Sequence, residues 1–173
     1  MENARVIKLL RENASSLFGI IDAARVFDLP AILAEGAVQF RSLYQGEEGD
    51  ELQEVAPYLV SFEEAPDLLE RLVKNGWGRS WGVYFSCDLS FDQVRRRLRK
   101  FLRVKTEDGQ QLYFRFYDPR VLRVFLPTCT HQQITEFFGP INTFWLEAAN
   151  SSICLSLRLG KTGLETQEID LGQ

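Results

Sequence analysis

The sequence predicts an α/β chain of the α+β kind: one domain with a mixed central β-sheet, flanking helices and a β-hairpin around Asp108-Gly109. Three observations predict it. Apolar runs of strand length alternate with amphipathic stretches of helical period. Two capping boxes and several Gly or Pro stops bound those stretches. An Asp-Gly turn between alternating segments then leads into a strand-to-helix corner at Gln111–Arg120. The chain has 173 residues, 45% hydrophobic and 25% charged, long enough for one core.

In order, Val6, Leu9 and Leu10 among polar neighbours predict a short helix over 2–13. Ser16–Asp22 is a mostly apolar run, the kind buried on both faces of a parallel or mixed sheet. A helix over about 26–35 ended by Gly36 and a strand over 37–44 then suggest a crossover unit. Between Gln45 and Glu70 stand nine carboxylates (Glu47, Glu48, Asp50, Glu51, Glu54, Glu63, Glu64, Asp67 and Glu70) and no Lys or Arg. They read as a solvated acidic edge around one buried strand, Pro57–Phe62. A helix over 66–75 stops at Asn75-Gly76. In Trp77–Phe85 glycines beside two tryptophans allow close backbone approach under large rings, ahead of a further apolar strand.

Ser90–Gln93 is a capping box opening a helix over 91–102 with Val94, Leu98, Phe101 and Leu102 on one side. Arg95, Arg96, Arg97, Arg99 and Lys100 cover the rest of it. With Arg103 and Lys105 they make seven positive charges in eleven residues. The hairpin beyond has a predictable register. A three-residue loop Glu107-Asp108-Gly109, with Gly109 left-handed, pairs Val104 with Leu112 and Leu102 with Phe114 and keeps one face apolar. Leu112, Phe114 and Phe116 should then point one way, and Tyr113, Arg115 and Tyr117 the other. Asp118 caps the next helix and Pro119 occupies its first turn. Val121, Leu122, Val124, Phe125 and Leu126 predict a short, largely buried helix, and Thr130–Gln133 is a second capping box for a helix to Phe138. Strands over 141–148 and 152–159 form a hairpin around Asn150-Ser151. Residues 161–173 read as a mobile polar tail.

Little of this carries chemistry. His131 is the only histidine and sits in a helical first turn, a surface or capping position. Cys87, Cys129 and Cys154 are dispersed, which suits reduced thiols and matches no metal-ligand spacing. No phosphate-cradling loop is present, and no cofactor or metal site is expected. A small hydrolase or anion-binding enzyme centred on Asp118 and Arg120 is the competing reading. The plainer one gives Asp118 to the helix cap and pairs Arg120 with Asp118 or Asp22. The basic helix admits three readings: a solvated face, a surface for an acidic protein partner, or a nucleic-acid surface, the last disfavoured by a net charge of -4. No stretch of 18 consecutive apolar residues or signal core occurs, so no membrane association is expected.

Several segments are familiar as an ordered series: Arg41–Tyr44, Ala56–Val60, Gly76–Gly82, Leu98–Arg103, Phe114–Val121 and Phe138–Ile141. Together they resemble the adaptor-chaperone domain of bacterial type VI secretion systems, the Tap/TEC effector-chaperone family, over residues 17–147. The resemblance implies a non-enzymatic cytoplasmic adaptor that binds a toxic effector and helps load it onto the trimeric spike (VgrG) protein. Its signature positions here are Tyr44, Pro57, Trp77, Trp81, Gly82, Arg115, Asp118, Pro119 and Arg120. Residues 1–150 would form the adaptor domain. Residues 151–173 would be a C-terminal strand and tail, shorter than the variable region many members carry. Arg95, Arg96, Arg99, Lys100 and Arg103 are the expected partner-binding residues.

Overall fold

A computed structural model describes residues 2–12, 16–36, 38–47, 51–105 and 108–172. The expected α+β class is the observed one. In chain order the elements are α1 (Glu2–Arg11), β1 (Leu17–Asp22), α2 (Leu29–Glu35), β2 (Phe40–Ser42), β3 (Pro57–Ser61), α3 (Pro66–Gly76) and β4 (Gly82–Cys87). There follow α4 (Phe91–Leu98), β5 (Arg103–Lys105), β6 (Gln111–Tyr113), α5 (Pro119–Phe125), α6 (His131–Phe138), β7 (Ile141–Glu147), β8 (Ile153–Leu159) and β9 (Leu164–Asp170). Residues 13, 37, 48, 50, 107 and 173, on which some sequence expectations fell, lie outside the described residues.

Seven strands form one sheet in the order β2-β3-β1-β4-β7-β8-β9, and every adjacent pair is antiparallel. β1 and β2 do run parallel, as the crossover implies, but β3 inserts between them. β1 is buried along its whole length because helices cover both faces of the sheet. On one face Leu17, Ile21, Tyr58, Val60, Tyr84 and Trp145 pack with α1, α2 and α3. On the other Phe18, Ile20, Val83, Phe85 and Phe144 pack with α4, α5 and α6. The alternation within β1 therefore divides its side chains between two cores.

Both capping boxes form, at Ser90/Gln93 and Thr130/Gln133. The hairpin register is the expected one, with Val104 opposite Leu112, the Phe114 amide donating to the Leu102 carbonyl at 2.9 Å, and Gly109 at φ +84°. Its placement is not. β5 and β6 make a separate two-stranded ribbon, leaving Val104 40% and Leu112 49% exposed. β6 ends at Tyr113, so the alternation breaks before the corner and Tyr117 is buried rather than facing solvent. α5 is also less buried than expected. Leu122 and Leu126, four apart, face the core, while Val124 on the opposite side is 66% exposed and Phe125 on the flank 38%.

The expected mobile tail is instead the edge strand β9, paired with β8 from Leu164 to Asp170. Its polar composition misleads because an edge strand with little apolar cover is held by backbone bonds. The Gly160 amide closes its turn on the Gly163 carbonyl at 2.8 Å, and Leu171 is buried just beyond its end.

Candidate functional site

The signature residues gather where β1 ends and β3 and β4 begin. Pro57 opens β3 opposite Asp22, a position where proline's missing N–H is tolerated. The Asp22 amide donates to the Trp81 carbonyl at 2.8 Å. Gly82 pairs with Ile21, and a Cβ on it would collide with the Ile20 carbonyl oxygen. Gly76 lies beneath Trp81, with a Cβ there only 2.5 Å from Cε3 of the ring. Glycine is required at both places by close approach.

Two buried carboxylates organise this end. Asp118 caps α5, its Oδ1 accepting from the Arg120 amide at 2.9 Å, and receives the Arg120 guanidinium as a fork at 3.0 and 2.7 Å. Burial raises the pKa of this carboxyl, but the Arg120 hydrogen bonds and the charges of Arg120 and Arg25 outweigh it, and Asp118 titrates below its ordinary range. Asp22 receives Arg115 Nη2 at 2.5 Å. Burial works against the charged Arg115, and the Asp22 partnership reverses the effect and raises its pKa. Arg25 stands between, 3.9 Å from each carboxylate. Of the two expected partners of Arg120, Asp118 is the one used. Tyr117 packs under Arg115 with its phenol pKa raised by burial, then by Tyr44 and Asp22.

A third buried carboxylate, Glu147 at the end of β7, pins the turn that follows α3. It accepts from the Gly78 amide at 2.6 Å and from the Ser80 amide and hydroxyl at 2.9 and 3.0 Å. The Trp77 indole donates to the Ser151 carbonyl at 2.8 Å, tying the same turn to the β7–β8 connection. Sequence reasoning missed Glu147, Arg25 and Arg79. An isolated Glu in a strand and single arginines in loops have no local signal of their roles.

Of the expected partner-binding residues, two are turned inward. Arg95 donates to the Ser42 and Tyr44 carbonyls at 2.8 and 3.3 Å, and Arg99 to the Leu43 carbonyl at 2.9 Å. Arg97 donates to the Glu136 and Phe137 carbonyls at the end of α6 and covers Gly139. Arg96 and Lys100 are exposed, and Arg103 lies against the Tyr113 ring. Much of the basic run therefore fastens neighbouring segments. His131 is exposed, and the three cysteines are free thiols. Among the described residues no three His, Cys, Asp or Glu side chains are grouped to hold a metal, and no helix is long and apolar enough to cross a membrane.

A family described as a domain of unknown function, DUF4123, matches residues 17–136, from the start of β1 into α6. The chain belongs to this family. The DUF4123 match spans both buried carboxylates of the corner, the pinned turn, the basic helix and the hairpin. No curated protein and no solved structure matches the chain.

Proposed function

We propose that this DUF4123 chain is a non-catalytic, cytoplasmic adaptor that binds a type VI secretion effector and helps load it onto the trimeric spike protein. One observation carries the reading: the carboxylates of the corner are buried and paired internally, while apolar side chains beside it are left in solvent. Asp118 and Arg120 satisfy one another and Asp22 holds Arg115. By contrast Val104, Leu112, Val124 and Phe125 are between 38% and 66% exposed on the hairpin and the helix after it. Phe114, half-buried with its ring 4.5 Å from that of Phe125, joins hairpin to helix. An exposed apolar face bordered by Arg103 suits an amphipathic, acidic protein segment better than a small substrate. The ordered resemblance to the Tap/TEC adaptors supplies the partners' identity.

The test is co-expression with a candidate type VI toxin and a spike protein, chosen from the gene's neighbours where these encode them, followed by affinity capture at low and moderate salt. A stable complex with the toxin is expected. Capture of neither protein at either salt would overturn the reading.

A further inference from the structure

We propose that the cleft lined by Arg25, Arg79, Trp81 and Arg115 binds carboxylate side chains of an extended acidic segment in the protein partner. This deepens the adaptor reading and rests on it for the class of partner. The cleft has a volume of about 560 Å³ and lies beside the buried carboxylates, Ala24 completing its wall. Three guanidiniums converge on it from separate stretches of chain, the turn after β1, the turn before β4 and the approach to α5.

The two rear arginines are held from behind and keep donors for a ligand. Arg115 gives one nitrogen to Asp22, with 43% of its side chain exposed. Arg25 makes only 3.9 Å ion pairs, and its buried Nε donates to no acceptor among the described residues. The Arg25 side chain is 28% exposed, so its outer guanidinium nitrogens are the donors that an incoming oxyanion would meet.

Among the described residues the Arg79 side chain makes no hydrogen bond like those of Arg95, Arg97 or Arg99, yet it sits in a constrained turn. Gly78 and Ser80 on either side both have positive φ, +83° and +56°. Ser80 is one of only two non-glycine residues among those described with such a backbone, a conformation that persists only when its surroundings enforce it. Glu147 enforces it with the three hydrogen bonds to this turn. The result presents Arg79 from a fixed turn, so binding has only its side chain, and not its backbone, left to order. Trp81, packed over Gly76, supplies a flat wall. Phe27, on the loop after Arg25, is 96% exposed. Forked donors beside aromatic surface match carboxylates spaced along a peptide with apolar residues between them.

The three tryptophans make the test internal. Trp77 is bonded to Ser151 and Trp145 is buried, so the Trp81 indole N–H signal in a ¹H–¹⁵N spectrum reports the cleft alone. Titration of the full chain with a capped Glu-Glu-Leu-Glu-Glu peptide should move that signal saturably and leave the other two in place. Arg79→Glu should weaken the binding about tenfold or more, and Arg79→Lys, which keeps charge and loses the fork, by less. Because Arg79 is exposed, the unmoved Trp77 and Trp145 signals also verify the variant's fold. A stationary Trp81 signal, or equal affinity in Arg79→Glu, would overturn the proposal. So would equally tight binding of inorganic phosphate or oligothymidylate, which would make the cleft a general anion site. Failure of this titration beside successful toxin capture removes the cleft and leaves the adaptor. The reverse result leaves an acidic-peptide site on a protein with another role.

Discussion

Asp118 concentrates two functions in one carboxylate, the cap of α5 and the anchor of Arg120 and Arg25. Its pKa in the folded chain is depressed, so its contribution to stability is complete above the ordinary aspartate value of about 3.9. That contribution is lost as pH falls through the lower, folded-state value. Asp118→Asn keeps a capping oxygen and removes the charge. It should cost about 3 kcal/mol at neutral pH, the lower end of the range for a broken buried pair, because Arg120 is half exposed. Urea unfolding should show the difference from wild type shrinking as the pH is taken below the carboxylate range. A constant difference would assign the cost to geometry instead. Gly76 makes an opposite kind of demand. Alanine in a helix gains about 1 kcal/mol over glycine in intrinsic preference, yet a methyl 2.5 Å from the Trp81 ring must displace it at about 1–3 kcal/mol. Gly76→Ala should therefore destabilise the fold and alter tryptophan fluorescence, and a more stable variant would contradict the packing.

At the scale of elements, α4 shows how far charge alone can mislead. Its arginines look equivalent in sequence, but Arg97 bonds carbonyls at the end of α6 while Arg96 stands in solvent. Arg97→Ala should cost about 1.5–3 kcal/mol, the range for hydrogen bonds that involve a charged group. Arg96→Ala should stay within about 0.5 kcal/mol, as for a free surface site. Equal effects in thermal or urea unfolding would contradict the assignment. Local rules found what is local. The two capping boxes, the Val104–Leu112 register and the Asp118 cap were all legible, because each depends on residues a few positions apart. The insertion of β3 between β1 and β2 was not, since antiparallel partners are chosen by the whole sheet. Nor was β9, whose polar run resembles a tail until β8 is beside it. At the site, Asp118 and Arg120 were legible as a neighbouring pair. Arg25, Arg79 and Glu147 come together only through long-range pairing of β1, β4 and β7.

For the whole molecule, the internal and external surfaces divide the work. Helices seal both faces of the sheet, so the central strands offer no open face to a ligand. The described carboxylates between Glu47 and Asp67 lie exposed, and Glu70 is tied to Arg11 and Lys74 at 2.7 and 2.5 Å. What projects is the hairpin with α5, an apolar face bordered by positive charge, on a frame whose corner carboxylates are buried and paired. That arrangement suits a protein whose work is to hold another protein. The most direct measurement is the affinity of the captured toxin for wild type and for the combined variant Val104→Ser, Leu112→Ser, Phe125→Ser, with thermal unfolding followed in parallel. Saturable binding to wild type is expected, weakened about tenfold or more by the variant as for loss of a central apolar anchor, with the cooperative unfolding transition retained. Undiminished affinity in a variant that still folds would contradict it.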